Sequence, residues 1–154
     1  MPLDRTATPL IRGAQPQDYD RIAAVVDDWW GRPLLGLLPR LFLDHFHDTS
    51  LVAESDGELA GFLVGFLSPA QPGGAYIHFV GVSPRLRGSG LARRMYATFF
   101  DQAHASGATW VDAVTGPVNS GSIAFHRAMG FSVEGPVPDY DGPGHDRMHF
   151  RREL

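Results

Sequence analysis

The chain has 154 residues, 44% of them hydrophobic and 19% charged, and a formal net charge of −4. That is enough for one domain with a buried core and the wrong charge for a general nucleic-acid binder. Absence of cysteine excludes a disulfide framework, a thiolate metal site and a cysteine nucleophile, and all 13 basic residues are arginines.

Residues 1–8 read as a loose N-terminal tail on a single domain spanning 1–154. They lack the basic-then-apolar pattern of a secretory leader, and no apolar run approaches the ~20 residues of a membrane span. A cytoplasmic protein without a membrane partner is expected. Leu10 to Ala14 is a short first strand, and Pro16 with Asp18 opens a helix to about Trp29, with Ile22, Val25, Val26 and Trp29 on one face. Trp30-Gly31-Arg32-Pro33 breaks it. A second helix follows, carrying Leu34, Leu37, Leu38, Leu41, Phe42 and Phe46. Ser50 to Glu54 and Glu58 to Leu67 are strands joined through Asp56-Gly57, a hairpin signal. A loop at residues 71–74 leads into a strand from Ala75 to Val82, stopped by Pro84.

After Gly88 and Gly90, the residues Leu91, Ala92, Met95, Tyr96 and Phe99 recur at helical spacing, and Gly107 caps that helix. Thr109 to Thr115 is a further strand. Asn119 starts a helix that Gly130 ends. Phe131 to Glu134 and Asp146 to Arg152 are strands on either side of a Pro/Gly/Asp-rich loop, 135–145. The order predicts a mixed α/β sheet covered by helices on both faces.

The strand, glycine turn and helix around residues 75–100 carry the strongest chemical signal. Gly88 and Gly90 would present bare backbone at a helix N-terminus, where N–H donors and the dipole suit a phosphate. Arg85, Arg87, Arg93 and Arg94 crowd the same place, against the usual preference for acids in a first helical turn, and a polyanionic ligand would explain them. No third glycine follows at the dinucleotide-binding spacing, and without lysine a nucleotide-hydrolysing P-loop is excluded.

The pattern Val82-x-Pro84-x-x-Arg87-Gly88-x-Gly90-Leu91-Ala92 resembles the pyrophosphate-binding motif of the GNAT superfamily of acyl-CoA-dependent N-acyltransferases. Further on, Asn119-x-x-Ser122-Ile123-x-Phe125-His126-x-x-Met129-Gly130-Phe131 resembles that family's second signature. The resemblance implies a GNAT-like, mostly antiparallel central sheet. It implies acetyl-CoA as co-substrate with no metal, and direct acetyl transfer to a primary amine of a small molecule within a ternary complex. It places cofactor binding on Val80, Gly81, Val82, Arg87, Gly88, Ser89, Gly90, Leu91, Ala92 and Arg93, with Asn119 and Ser122 from the other side. The Val80 N–H would meet the thioester carbonyl, while Asn119 could equally serve as a helix N-cap. The family is often dimeric, so a homodimer is open.

Period-two alternation puts Tyr76, His78, Val80 and Val82 on one strand face, where a histidine is out of place. With an ordinary pKa of ~6.5, His78 suits a base that deprotonates the attacking amine, or else it is a satisfied core histidine. The arylalkylamine N-acetyltransferases carry histidines at the positions of Tyr76 and His78, a local likeness. The family's usual acidic tyrosine falls on His126, making His126 the candidate acid and Tyr76 the reserve. By the same resemblance, the loops 29–33 and 136–144 select the substrate. There Trp29, Trp30 and Tyr140, with Asp27, Asp28, Asp139 and Asp141 nearby, could cradle a cationic or aromatic amine, or else pack in the core and face solvent. His45-x-His47 has no third ligand in view and reads as structural. Two alternatives stay open: acetylation of protein or peptide amines, and a non-catalytic acyl-CoA-binding regulator.

Overall fold

A computed structural model describes residues 8–154; the expected tail lies outside the described residues except for Thr8. Seven strands form one sheet in the order β1-β2-β3-β4-β5-β7-β6. Strands β1 (Leu10–Gly13), β2 (Leu51–Ser55), β3 (Glu58–Leu67) and β4 (Gly74–Val82) run antiparallel in sequence order. Strand β5 (Trp110–Thr115) then joins β4 in parallel, and β7 (Arg147–Glu153) and β6 (Ser132–Val137) complete the sheet antiparallel. Helices α1 (Asp18–Trp30) and α2 (Leu41–Phe46) cover one face. Helices α3 (Leu91–Ala105) and α4 (Ser120–Ala128) cover the other. Among the described residues no helix is long and apolar enough to cross a membrane.

Two clusters hold these layers. Ile22, Val26 and Trp29 of α1 and Leu43 of α2 pack on Val52, Phe62 and Val64. Leu91, Met95, Tyr96, Phe99 and Phe100 of α3 pack on Leu63, Ala75, Ile77, Val111 and Phe150. Each large side chain removed from water here contributes about 1.5–3 kcal/mol. Gly65 lets α3 lie close to the sheet: a Cβ there would meet the Phe99 ring at 2.6 Å.

The expected second helix is broken. A 3-10 turn at Leu35–Leu37 is followed by α2 starting only at Leu41, because Pro39 cannot continue a helical ladder. Strand β6 runs on to Val137, past the expected end at Glu134. It lies at the sheet edge, where Pro136 costs no ladder bond that a neighbour needs.

The decisive departure is in β4. Ile77 pairs with Gly65 and Phe79 with Val64, so His78 is the extra residue of a β-bulge. The bulge resets the alternation. Val80 and Val82 turn to the α3 side with Ala75 and Ile77, while His78 and Phe79 face α1 and α2. His78, Val80 and Val82 therefore do not share a face. The bulge sits beside the point where β4 and β5 part: their ladder covers only Gly74–Tyr76 against Trp110–Asp112, and both strands run on without each other.

Candidate active site

The parting of β4 and β5 opens a cleft through the sheet, made of three adjoining cavities. The first, of about 310 Å³, lies at the glycine turn, lined by Arg87, Gly88, Gly90 and Arg93 with Val82, Ala92 and Phe125. Val82, Ala92 and Phe125 also line the second, of about 280 Å³, which runs between the diverging strands past Val80, Tyr96, Asn119, Ser122 and His126. His78, Phe79, Val80, Val114 and Asn119 in turn belong to both the second cavity and a third, of about 330 Å³, on the α1 side. The third is lined as well by Trp30, Arg32, Leu34, Leu37, Val118 and Arg147.

At the first cavity, Gly88 and Gly90 have φ of +77° and +88°, and no atom lies within 4 Å of where their Cβ atoms would be. This bare backbone at the N-terminus of α3 fits a pyrophosphate. Arg93 is exposed beside it. Arg87 lines the cavity and also donates from Nη2 to the Trp29 carbonyl at 2.6 Å, tying the turn to the end of α1. The Arg94 guanidinium instead reaches the Pro9 carbonyl. Leu91 is buried in the core as well as lining the turn. Gly81 is a close approach: a Cβ there would meet Phe62 and Trp30 at 2.6 and 2.7 Å.

His78 stands where the second and third cavities meet. Its ring stacks on Phe42, centroids 4.1 Å apart, and its Nε2 donates to the Leu37 carbonyl at 2.7 Å. A carbonyl only accepts, so Nε2 carries the proton and Nδ1 keeps a lone pair that no described residue engages. Burial lowers the pKa of His78 from its ordinary value, and the bond to Leu37 offsets that in part.

His126 differs. It is 6% exposed, stacks on Phe150, and has both nitrogens engaged. Nδ1 donates to the Ser122 carbonyl at 2.7 Å, which leaves Nε2 to accept from the Tyr96 hydroxyl at 3.0 Å. Burial lowers the pKa of His126 and raises that of Tyr96 well above the usual phenol range. Asn119 caps α4 by accepting from the Ser122 N–H and also lines the cleft, so its two expected roles are compatible.

Other expected residues fall elsewhere. Tyr76 stacks on Phe66 and, with Tyr140, lines a separate cavity with Trp110, Asp112 and His149; burial, and then the neighbouring Tyr140 and Asp141, push its pKa up to about 12. Trp29 is a core residue against Phe62, whereas Trp30 does reach the third cavity. Three of the four acids at the two loops are held locally, while Asp28 is exposed without a side-chain partner among the described residues. Asp27 accepts from the Leu34 and Leu35 N–H groups, Asp139 from Gly144, and Asp141 pairs with Arg147. Residues not singled out beforehand are Leu37, whose carbonyl fixes the His78 tautomer, and Arg147. Neither position carries a local signal; both depend on contacts across 41 and 6 residues of sequence. Among the described residues no group of acids and histidines could hold a metal ion.

Comparison with known proteins agrees with this fold. The model of the acetyltransferase (GNAT) family matches residues 15–131. The L-2,4-diaminobutyric acid acetyltransferase of Nocardia farcinica is 32% identical over 129 residues, 82% of this chain and 66% of that protein. This chain spans from just under half to about two thirds of the length of the curated relatives it matches. Among solved structures, a GNAT-family acetyltransferase from Desulfovibrio desulfuricans superposes with a TM-score of 0.82 at 23% identity, covering 95% of this chain and 99% of that one. The diaminobutyrate acetyltransferase of Paenibacillus lautus, solved with L-2,4-diaminobutyric acid and coenzyme A, gives 0.73 at 22% identity over 94% and 93%. The fold is the one these acetyltransferases share. The chain belongs to the acetyltransferase (GNAT) family.

Proposed function

We propose that this chain transfers the acetyl group of acetyl-CoA to the primary amine of a small molecule, by direct attack within a ternary complex. The observation that carries this reading is the continuous cleft, from an open glycine turn through the strand gap to a separate acceptor cavity, with an unengaged histidine nitrogen at the junction. The pyrophosphate sits on the N–H groups of residues 88–92, near Arg93, and the pantetheine arm lies between β4 and β5 beside Asn119. The Val80 N–H faces the thioester carbonyl from a strand edge that carries no β5 ladder. In a covalent route a cysteine or lysine would take the acyl group; this chain has neither.

The acceptor enters from the third cavity as an ammonium ion. His78 Nδ1 takes one proton, directly or through a water, and the freed nitrogen lone pair attacks the carbonyl carbon. The tetrahedral intermediate collapses by breaking the C–S bond, giving the amide and CoA thiolate; the second proton of the attacking nitrogen leaves to solvent, because His78 already holds the first on Nδ1 and carries its other proton on Nε2. We assign no protein group to protonate the thiolate. A thiol of pKa ~8.5 is a fair leaving group as the anion. Tyr96, with its pKa raised, is a weaker acid than the thiol it would serve, and His126 has its only proton on a backbone carbonyl. His126 then positions Tyr96 and the start of α4.

The test is release of CoA thiol from acetyl-CoA across amines, neutral and acidic amino acids, L-2,4-diaminobutyrate and short peptides. The cysteine-free protein adds no thiol background. Amine-dependent release is the expected result. Acetyl-CoA binding without release by any acceptor would overturn the catalytic reading in favour of a binding module.

A further inference from the structure

The charge of the acceptor cavity is opposite to what the acidic loops of the sequence suggest. Its lining contains two guanidiniums, Arg32 and Arg147, and no acidic side chain. Arg32 is exposed at the rim and makes no hydrogen bond or ion pair with any described residue. Arg147 is half-buried. Its Nε is committed to Asp141, and its Nη1 lies over Gly116, 3.8 Å from where a Cβ would be, on the cavity wall. Its terminal amines carry no other hydrogen bond among the described residues. The rest of the wall is largely apolar, with Trp30, Leu34, Leu37, Phe79 and Val118, and carries Thr115, Asn119 and His78 as its uncharged polar groups.

We propose that Arg32 and Arg147 form a clamp for a carboxylate on the acceptor, so that the amine acetylated here belongs to an amino acid or similar anionic amine rather than to a diamine or polyamine. This rests on the acetyl-transfer reading and narrows it. The two guanidiniums reach the one cavity from different elements: Arg32 from the loop after α1, Arg147 from the start of β7. A planar guanidinium pairs a carboxylate through two parallel N–H donors, and two of them can hold its oxygens while the amine points inward to His78. No acid lines the cavity, and Asp27, Asp139 and Asp141 already serve a loop or Arg147, so a second ammonium on the acceptor would meet positive charge without a counter-ion in the lining. Single attachment by carboxylate also leaves the apolar wall to select the side chain.

The test compares amines that differ only by the carboxylate: L-phenylalanine with phenethylamine, and L-2,4-diaminobutyrate with 1,3-diaminopropane. The readout is the ratio of kcat/KM within each pair. The clamp predicts that the carboxylate-bearing member wins by at least tenfold, and that Arg32→Gln and Arg147→Gln each cut that ratio about ten- to a hundredfold through KM. KM for acetyl-CoA stays unchanged, and Arg147→Lys recovers part of the ratio. A ratio near one in the unaltered protein overturns the clamp, as does a ratio that survives the double substitution. Turnover of the decarboxylated amines alone overturns the clamp while leaving acetyl transfer standing. If no amine releases CoA, acetyl transfer fails separately. The same pairs are then titrated by calorimetry into the CoA-saturated protein, and preferential carboxylate binding lost in the double variant supports the clamp, whereas equal or no binding overturns it.

Discussion

At the scale of single residues, a half-buried and a buried histidine have opposite prospects, and hydrogen bonding separates them. His78 has one nitrogen fixed by Leu37 and one unengaged, whereas His126 has both engaged. Replacing His78 by alanine is expected to lower kcat about 10²- to 10⁴-fold, the range of a general base, with acetyl-CoA affinity retained. Because burial depresses its pKa, the neutral, proton-accepting form persists below the ordinary histidine value of 6.5. The acid limb of kcat/KM should accordingly inflect below pH 6.5 and vanish in the alanine variant. Tyr96→Phe removes the proton that His126 Nε2 accepts and leaves that buried nitrogen unpaired. It should cost about 1–3 kcal/mol of stability in a denaturant titration, with kcat changed only a few-fold. A large loss of kcat at full stability would instead restore the pair as a proton donor.

At the scale of elements, most of the chain was legible from hydrophobic period and punctuation. Strand β3 and helix α3 appear where Asp56-Gly57, Gly90 and Gly107 say they should. The glycine turn, Asn119 and Trp30 also come to the cleft as their local patterns suggest. Strand β4 departs from its sequence pattern at one point. Tyr76-Ile-His-Phe-Val80 looks like unbroken alternation, and a bulge adds one residue without any change of composition, so its register is set only by β3 across the ladder. Acidic side chains in the substrate loops were similarly ambiguous, since a carboxylate bound to its own loop and one facing a ligand have the same sequence. The glycine turn itself makes an element-scale prediction. Gly90 holds φ of +88°, and an alanine there is strained by about 1–2 kcal/mol. Gly90→Ala should raise KM for acetyl-CoA while leaving kcat near its original value, as read from donor saturation curves.

At the scale of the whole molecule, the N-terminal half is pinned by a charge network rather than by apolar contacts alone. Asp18 is 4% exposed and takes hydrogen bonds from both terminal amines of Arg12 and from the Gln15 N–H; Arg12 and Arg21 also hold Glu54. This joins β1, the start of α1 and β2. Arg12 holds the Asp18 carboxyl below its ordinary value of 3.8 despite the opposing effect of burial. A depressed carboxylate stabilises the fold above the ordinary pKa, and that stability is lost as pH falls from about 3.8 toward the lower folded value. Asp18→Asn should cost about 3 kcal/mol, the lower end for breaking a buried pair because Arg12 keeps some solvent contact. Thermal melts at neutral pH measure it, and the deficit should shrink on acidification.

The short β4–β5 ladder has a further consequence for how the protein responds to its donor. Beyond Tyr76 and Asp112 the facing backbone groups of two central strands have no strand to bond, and such groups seek partners wherever they can find them. A pantetheine arm carries two amides at roughly the spacing of a peptide, so in the placement proposed above the donor would act as an eighth strand lent to the sheet and stitch its two halves together. Coenzyme A alone, without an acyl group, should thus slow amide hydrogen exchange along residues 77–82 and 113–115. At a hundredfold excess over its dissociation constant it should add about 2.7 kcal/mol to the stability of the fold.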